Sequence, residues 1–302
     1  MYDIAVAVAA CLRAGTRVDV AWVLDSDLEP PPGPADAVAL TPGGGRIGTL
    51  LHGALDDRLA DAGTGRLLTL DLSPLEAKAM GRRGGRVRCL VVPADSLPAD
   101  LWRRLAVREP VRLLTRLEKD RIVDTVTYDA GPEDPVAKAT LELVARGSSG
   151  SVLTEHGVIT VLCPLPRLAV LGSGPIIDAL AGLADVLGWS VHRGDVTTIA
   201  GLAPGLTPRD ALVVMSHDVD AAGTVLAEAL DGRAGYIGAL GSARMQQARA
   251  RWLADRGITD LSRIHGPAGL DLGAAGPGEM AVAILAEAIA VRTGHRLGQH
   301  IA

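Results

Sequence analysis

Five polar, mostly glycine-rich turns in the last third of the chain each follow an apolar segment. They are Gly172-Ser173-Gly174-Pro175, Asp195, Ser216-His217-Asp218, Gly238-Ala239-Leu240-Gly241-Ser242 and Arg263-Ile264-His265-Gly266-Pro267. A strand running straight into Gly-Ser-Gly-Pro and then a helix offers an anion unpaired N–H groups and the positive end of a helix dipole. Gly172 and Gly174 permit the tight turn around Ser173, and Pro175 suits a first helical turn. Asp195 lies about 20 residues further on, where an acid reaches a ribose hydroxyl in dinucleotide-binding folds. Ile177, however, stands where the third glycine of that fingerprint belongs. The turn is therefore open to two readings, a nucleotide-type site or a plain tight turn.

The other turns carry the titratable groups. His217 is flanked by a hydroxyl and by Asp218, which can orient an imidazole or raise its pKa. Neighbours along a strand point apart, so no Ser–His–Asp triad is implied. Ser242 is placed as a helix N-cap, which accounts for it without any function. Arg244 lies in the first helical turn, where the dipole disfavours a cation unless an anion is present. His265 and Asp271 fall in a long stretch with three glycines, Gly266, Gly269 and Gly273, between a strand and a helix.

These residues need a scaffold that presents strand ends side by side. Beyond Pro164 and Pro166 the pattern alternates regularly: strands 167–171, 189–193, 211–215 and 235–237, helices 175–187, 221–230, 242–256 and 277–293. That alternation predicts right-handed crossovers and a parallel, doubly wound sheet with its ligand site at the carboxyl ends. Before the prolines the reading is mixed. Helices are expected at 2–14, 51–62 and 135–146, and strands at 18–25, 37–41, 45–51, 66–72, 87–92, 111–117, 122–128 and 158–162. The fold class expected is α/β: a Rossmann-like parallel sheet over 166–302 and a separate N-terminal α+β domain over 1–165.

Composition narrows the functions. Of 302 residues, 48% are apolar, none is Phe, and aromatics reach only 2%. Cores must be aliphatic, and a stacking platform for single-stranded nucleic acid is disfavoured. The net charge of −5 argues against a general grip on phosphate backbone. Cys11, Cys89 and Cys163 are far apart and lack metal-ligand spacing, so neither a disulfide framework nor a metal site is expected. No stretch has the length of a membrane span. A cytoplasmic protein without nucleic-acid or membrane partners is expected.

The segment Tyr236–Ser242 followed by Arg263–Gly273 closely resembles the C-terminal signature of the XdhC/CoxI family, whose members are maturation factors for molybdenum hydroxylases. The turn at 172–174 and Ser216-His217-Asp218 fall in the family's order. The resemblance covers 166–302 and implies an accessory protein, more a chaperone than an enzyme. Such a protein binds molybdenum cofactor (molybdopterin), supports its sulfuration by a cysteine desulfurase, and delivers it to an apo-hydroxylase of the xanthine dehydrogenase type. A homodimer is compatible with it. The pterin phosphate would lie at the helix N-termini by Gly174 and Ser242, with Arg244 as counter-ion. In the N-terminal half the resemblance runs in outline from Pro31-Pro32-Gly33 to Gly48–Ala54. There Ala54 stands where the family has cysteine, and Arg83-Gly84-Gly85-Arg86 matches a second family motif without its cysteine. Two other readings stay open: an NAD(P)-dependent oxidoreductase using His217 or His265 as acid or base, and a divergent paralogue without cofactor chemistry.

Overall fold

The computed structural model describes residues 1–294 apart from 30, 31, 33–35, 130, 132 and 156. The proline-rich turn at 29–34 and the acidic turn at 129–134 fall partly outside these residues. The chain divides into two compact units, Met1–Pro164 and Leu165–Ala302.

The first unit carries strands β1 (Asp19–Ser26), β2 (Ala37–Leu40), β3 (Arg46–Gly48), β4 (Arg66–Asp71), β5 (Arg86–Pro93), β6 (Val111–Glu118), β7 (Arg121–Thr127), β8 (Gly150–Thr154) and β9 (Gly157–Leu162). They form one sheet in the order β3-β2-β1-β5-β4-β7-β6-β9-β8, antiparallel at every pairing. Alternate side chains of the central strands serve opposite faces. Val20, Trp22 and Leu90 meet α1 (Ala5–Arg13) and α4 (Leu101–Ala106) on one face. On the other, Ala21, Val23 and Cys89 meet α2 (Asp56–Asp61) and α3 (Pro74–Ala79). Helix α5 (Pro135–Arg146) begins where Asp134 accepts the amides of Val136 and Ala137, and ends at left-handed Gly147.

Sequence reading expects a single helix over 51–62, but the chain forms a one-turn 3-10 segment at Leu51–Gly53 and then α2. Leu51 and His52 carry φ of 50° and 57°, which no α-helix accepts. Strand β8 and helices α3 and α4 are additions to the reading from sequence.

The second unit has strands β10 (Arg167–Gly172), β11 (Ser190–Gly194), β12 (Ala211–Met215), β13 (Tyr236–Ala239) and β14 (Ile264–His265). All pair in parallel, in the order β11-β10-β12-β13-β14. Helices α6 (Pro175–Val186) and α10 (Pro277–Thr293) cover one face, burying Ile177, Leu180 and Ile284 against Leu168, Val170 and Val213. Helices α7 (Val196–Leu202), α8 (Val219–Asp231) and α9 (Ala243–Ala254) cover the other, burying Ile199, Val225 and Leu253 against Ala169, Leu212 and Ile237. The direction of winding reverses between β10 and β12, the switch point at which such sheets open a crevice beyond their carboxyl ends. Among the described residues no helix is long and apolar enough to cross a membrane.

Candidate functional site

The carboxyl ends of β10 and β12 are held close by Gly172. At its φ of +135° a Cβ would lie 2.2 Å from the carbonyl oxygen of Met215, so only glycine fits. Gly174 then caps α6 with φ +107°. The first turn of α6 is tied to β11: Arg193 Nη1 donates to Asp178 at 2.7 Å and Nη2 to the Ile177 carbonyl at 3.0 Å.

Three more of the candidate residues are helix caps. Asp195 accepts the amide of Thr198 at 2.8 Å and starts α7. The Thr198 amide and then its hydroxyl hold the Asp195 carboxyl below the usual carboxylate range. Asp218 accepts the amides of Asp220 and Ala221 and starts α8, while its own amide donates to Ser216 Oγ. Ser242 accepts the amide of Met245 and starts α9.

A cavity of about 870 Å³ opens at the ends of β12 and β13 and is closed from above by 267–274 and α10. Of the residues singled out from sequence, His217, Gly241, Ser242 and Asp271 line it. Gly172, Ser173, Gly174, Asp195, Asp218, Gly238, Arg244 and His265 do not. Arg244 is exposed, its side chain outside the lining.

The cation in the lining is Arg249, only 2% exposed. Its Nη1 donates to the Leu240 carbonyl at 2.7 Å and to Gln246 Oε1 at 3.3 Å, and its Nη2 to the Ser216 carbonyl at 2.8 Å. One guanidinium thus spans the carboxyl ends of β12 and β13. It pairs with no carboxylate among the described residues, and its Nε has no acceptor. Burial pulls its pKa below the ordinary arginine value, yet a guanidinium stays charged at neutral pH. The helical spacing points to it: Met245, Gln246 and Arg249 follow Ser242 by three, four and seven residues, on one face of α9.

Much of the remaining lining is apolar, including Ile176, Leu240 and Ile284. Three of the chain's five methionines, Met215, Met245 and Met280, are in it. Thioethers are polarizable and adapt to the outline of a bound ring.

Behind the cavity, Glu287 of α10 gathers three partners. Its Oε2 accepts the Tyr236 hydroxyl at 2.6 Å and the Gly269 amide at 2.7 Å, and its Oε1 lies 3.1 Å from His265 Nδ1. The Tyr236 and His265 rings stack at 4.9 Å. His265 is therefore a support of the loop, with its imidazole turned to Glu287. Glu287 is legible in the sequence as the lone charge in the apolar run Ala281–Val291.

In the first unit, Ala54 is exposed after the 3-10 turn, and Arg83 forms a two-bond backbone bridge with Glu29 at 2.8 and 3.0 Å. Cys89 is fully buried, and burial pushes its thiol up to about 12. No three His, Cys, Asp or Glu side chains among the described residues converge as a metal site.

Residues 168–288 match the XdhC Rossmann domain model. A molybdenum cofactor insertion chaperone, PaoD, of Escherichia coli is 28% identical over 60% of this chain and 54% of its own length. A probable xanthine dehydrogenase subunit of Bacillus subtilis is 33% identical over 46% of this chain and 47% of its own length. The uncharacterized Escherichia coli protein YqeB is 29% identical over 48% of this chain and 30% of its own length. The chain thus spans about a third to a half of the length of the curated relatives it matches. A crystal structure of a xanthine dehydrogenase from Bacillus halodurans aligns over 98% of both chains with a TM-score of 0.42 and 16% identity. The C-terminal unit of this chain, with the cavity at its strand ends, is similar to the XdhC Rossmann domain over residues 168–288.

Proposed function

We propose that this chain is an accessory protein of the XdhC type that binds molybdenum cofactor in the C-terminal cavity and assists its insertion into a molybdenum hydroxylase of the xanthine dehydrogenase kind. The observation that carries this reading is the cavity itself. It lies inside the matched domain, at the carboxyl ends of two strands of a parallel sheet, with a volume suited to one organic ligand. The names of two relatives, an insertion chaperone and a xanthine dehydrogenase subunit, support the same reading. The cofactor would be cargo, and the residues fit such cargo: a buried cation for its anionic end and pliable apolar side chains for its ring system.

Sulfur handling stands apart from this proposal. Ala54 and Arg83 supply no thiol, and buried Cys89 is poorly placed to replace one. A desulfurase partner would have to act on cargo held in the C-terminal unit. Nothing in the site favours the NAD(P) reading, because Ile177 is packed in the core and Asp195 caps α7.

The test is direct titration of the full chain with molybdenum cofactor, NAD+ and NADPH, followed by melting temperature, since a ligand specific to the native state raises stability. Saturable cofactor binding and faster activation of an apo-hydroxylase are expected. Tight NAD(P) binding without cofactor binding would overturn the proposal.

A further inference from the structure

We infer that the cavity takes a planar heteroaromatic ligand carrying an oxyanion, with Arg249 as the anion's counter-charge and Met215, Met245 and Met280 around the ring. An Arg249 side chain that is 2% exposed has given up nearly all its water, and only neutral acceptors meet it, the carbonyls of Leu240 and Ser216 and the Gln246 side-chain oxygen. A buried charge without a partner is costly, and proteins normally neutralise it. No carboxylate does so here among the described residues, while the guanidinium forms part of the cavity wall. The neutralising group therefore has to enter from the cavity.

The competing charges are weaker. Asp271 lines the same cavity but is exposed, so water and salt screen it. His217 is exposed as well. The start of α9 adds the positive end of a helix dipole on the same side, because Gly241 and Ser242 precede it in the lining. Gly241, with φ +136°, keeps this corner narrow and free of a side chain: a Cβ there would stand 3.2 Å from Met245 Cβ and Cγ and 3.6 Å from Arg249 Nη1.

Among the described residues no Phe, Tyr or Trp lines the cavity, so stacking on those rings is not the mode of recognition. Thioether sulfur makes favourable contacts with aromatic rings and is flexible enough to close on a flat body. Three methionines in one cavity, from a chain with five, supply that surface.

This inference rests on the cofactor reading only for the identity of the ligand, and the experiment separates the two. The full chain is titrated with the fluorescent oxidised derivative of molybdopterin, once with its phosphate monoester and once after phosphatase treatment. The phosphorylated form is expected to bind at least tenfold more tightly, and Arg249→Gln is expected to abolish that ratio while keeping affinity for the dephosphorylated form. Met245→Leu is expected to weaken both forms by the same two- to tenfold factor, in line with the strength of sulfur–aromatic contacts. Equal wild-type affinity for the two forms would overturn the inference while leaving the cofactor reading intact. That comparison needs no variant, so it holds even if Arg249→Gln fails to fold. If wild type binds neither form, the cofactor reading falls and inorganic pyrophosphate decides the inference. A saturable rise in melting temperature for wild type supports it; no rise overturns it.

Discussion

The Tyr236 hydroxyl donates a 2.6 Å hydrogen bond to Glu287 across 51 residues, joining the strand β13 to the helix α10. The same carboxylate receives the amide of Gly269 and contacts His265, so a single acidic side chain fixes the loop that closes the cavity. Anchoring of this kind places a site on rigid elements even where its lining is irregular.

Glu287→Ala should therefore destabilise the second unit and loosen the 265–271 loop together. It strands the buried Tyr236 hydroxyl and the Gly269 amide, at a cost of about 3 kcal/mol. Glu287→Gln keeps an acceptor for one of them and should cost less than half as much. Urea denaturation of the two variants checks the order, and protection of the Gly269 amide from hydrogen exchange checks the loop.

Burial, and then the hydrogen bond to Glu287, raise the Tyr236 pKa well above the ordinary phenol value of 10.0. The folded state thus holds this proton more tightly than the unfolded chain. Its contribution is fully present below pH 10 and declines as rising pH ionises tyrosine in the unfolded state. Cys89, pushed from 9.0 up to about 12, acts in the same direction in the first unit. Stability should fall between pH 9 and pH 12, and Tyr236→Phe should flatten the part of that fall belonging to the second unit. Denaturation midpoints measured in steps across this range test the sign; stability that rises with pH would contradict it.

Cys89 and Cys163 are buried at 0% and 2% exposure, whereas Cys11 is half-buried. A thiol reagent at neutral pH should modify Cys11 in the native protein and reach the other two only after denaturation. Mass spectrometry of the labelled peptides reads this directly. Native labelling of Cys89 would mean that the sheet opens around β5.

How far the sequence anticipates this molecule depends on the length and purity of each pattern. Helix α5 is legible because Asp134-Pro135 starts it, Gly147 ends it and an amphipathic run lies between. The strand–helix alternation after Pro166 is legible for the same reason. Strand β14 is not, because two residues have no periodicity, and pairing with β13 alone makes them a strand. Helix α7 is hidden by Val196-Thr197-Thr198-Ile199, a β-branched run that tertiary packing overrides. At the site, dipole reasoning singles out Arg244 from the first turn of α9. Burial selects Arg249, further along the same helix, and burial is a property of packing that a single sequence states only through its period.

Ile177 offers the most direct test of whether this site follows the dinucleotide pattern. It occupies the position of the fingerprint's third glycine and is fully buried against the sheet, with Leu168, Val170 and Tyr236 in the same core. If that position served the close helix–strand packing of a dinucleotide fold, Ile177→Gly would restore a missing element and NADH would bind. The packing argues for the opposite outcome. Removing a buried isoleucine side chain costs about 2–5 kcal/mol, and glycine inside a helix adds roughly 1 kcal/mol. The variant should melt at markedly lower temperature and show no new enhancement of NADH fluorescence. A variant that bound NADH at undiminished stability would return the turn at 172–174 to the nucleotide reading and move the ligand site away from Arg249.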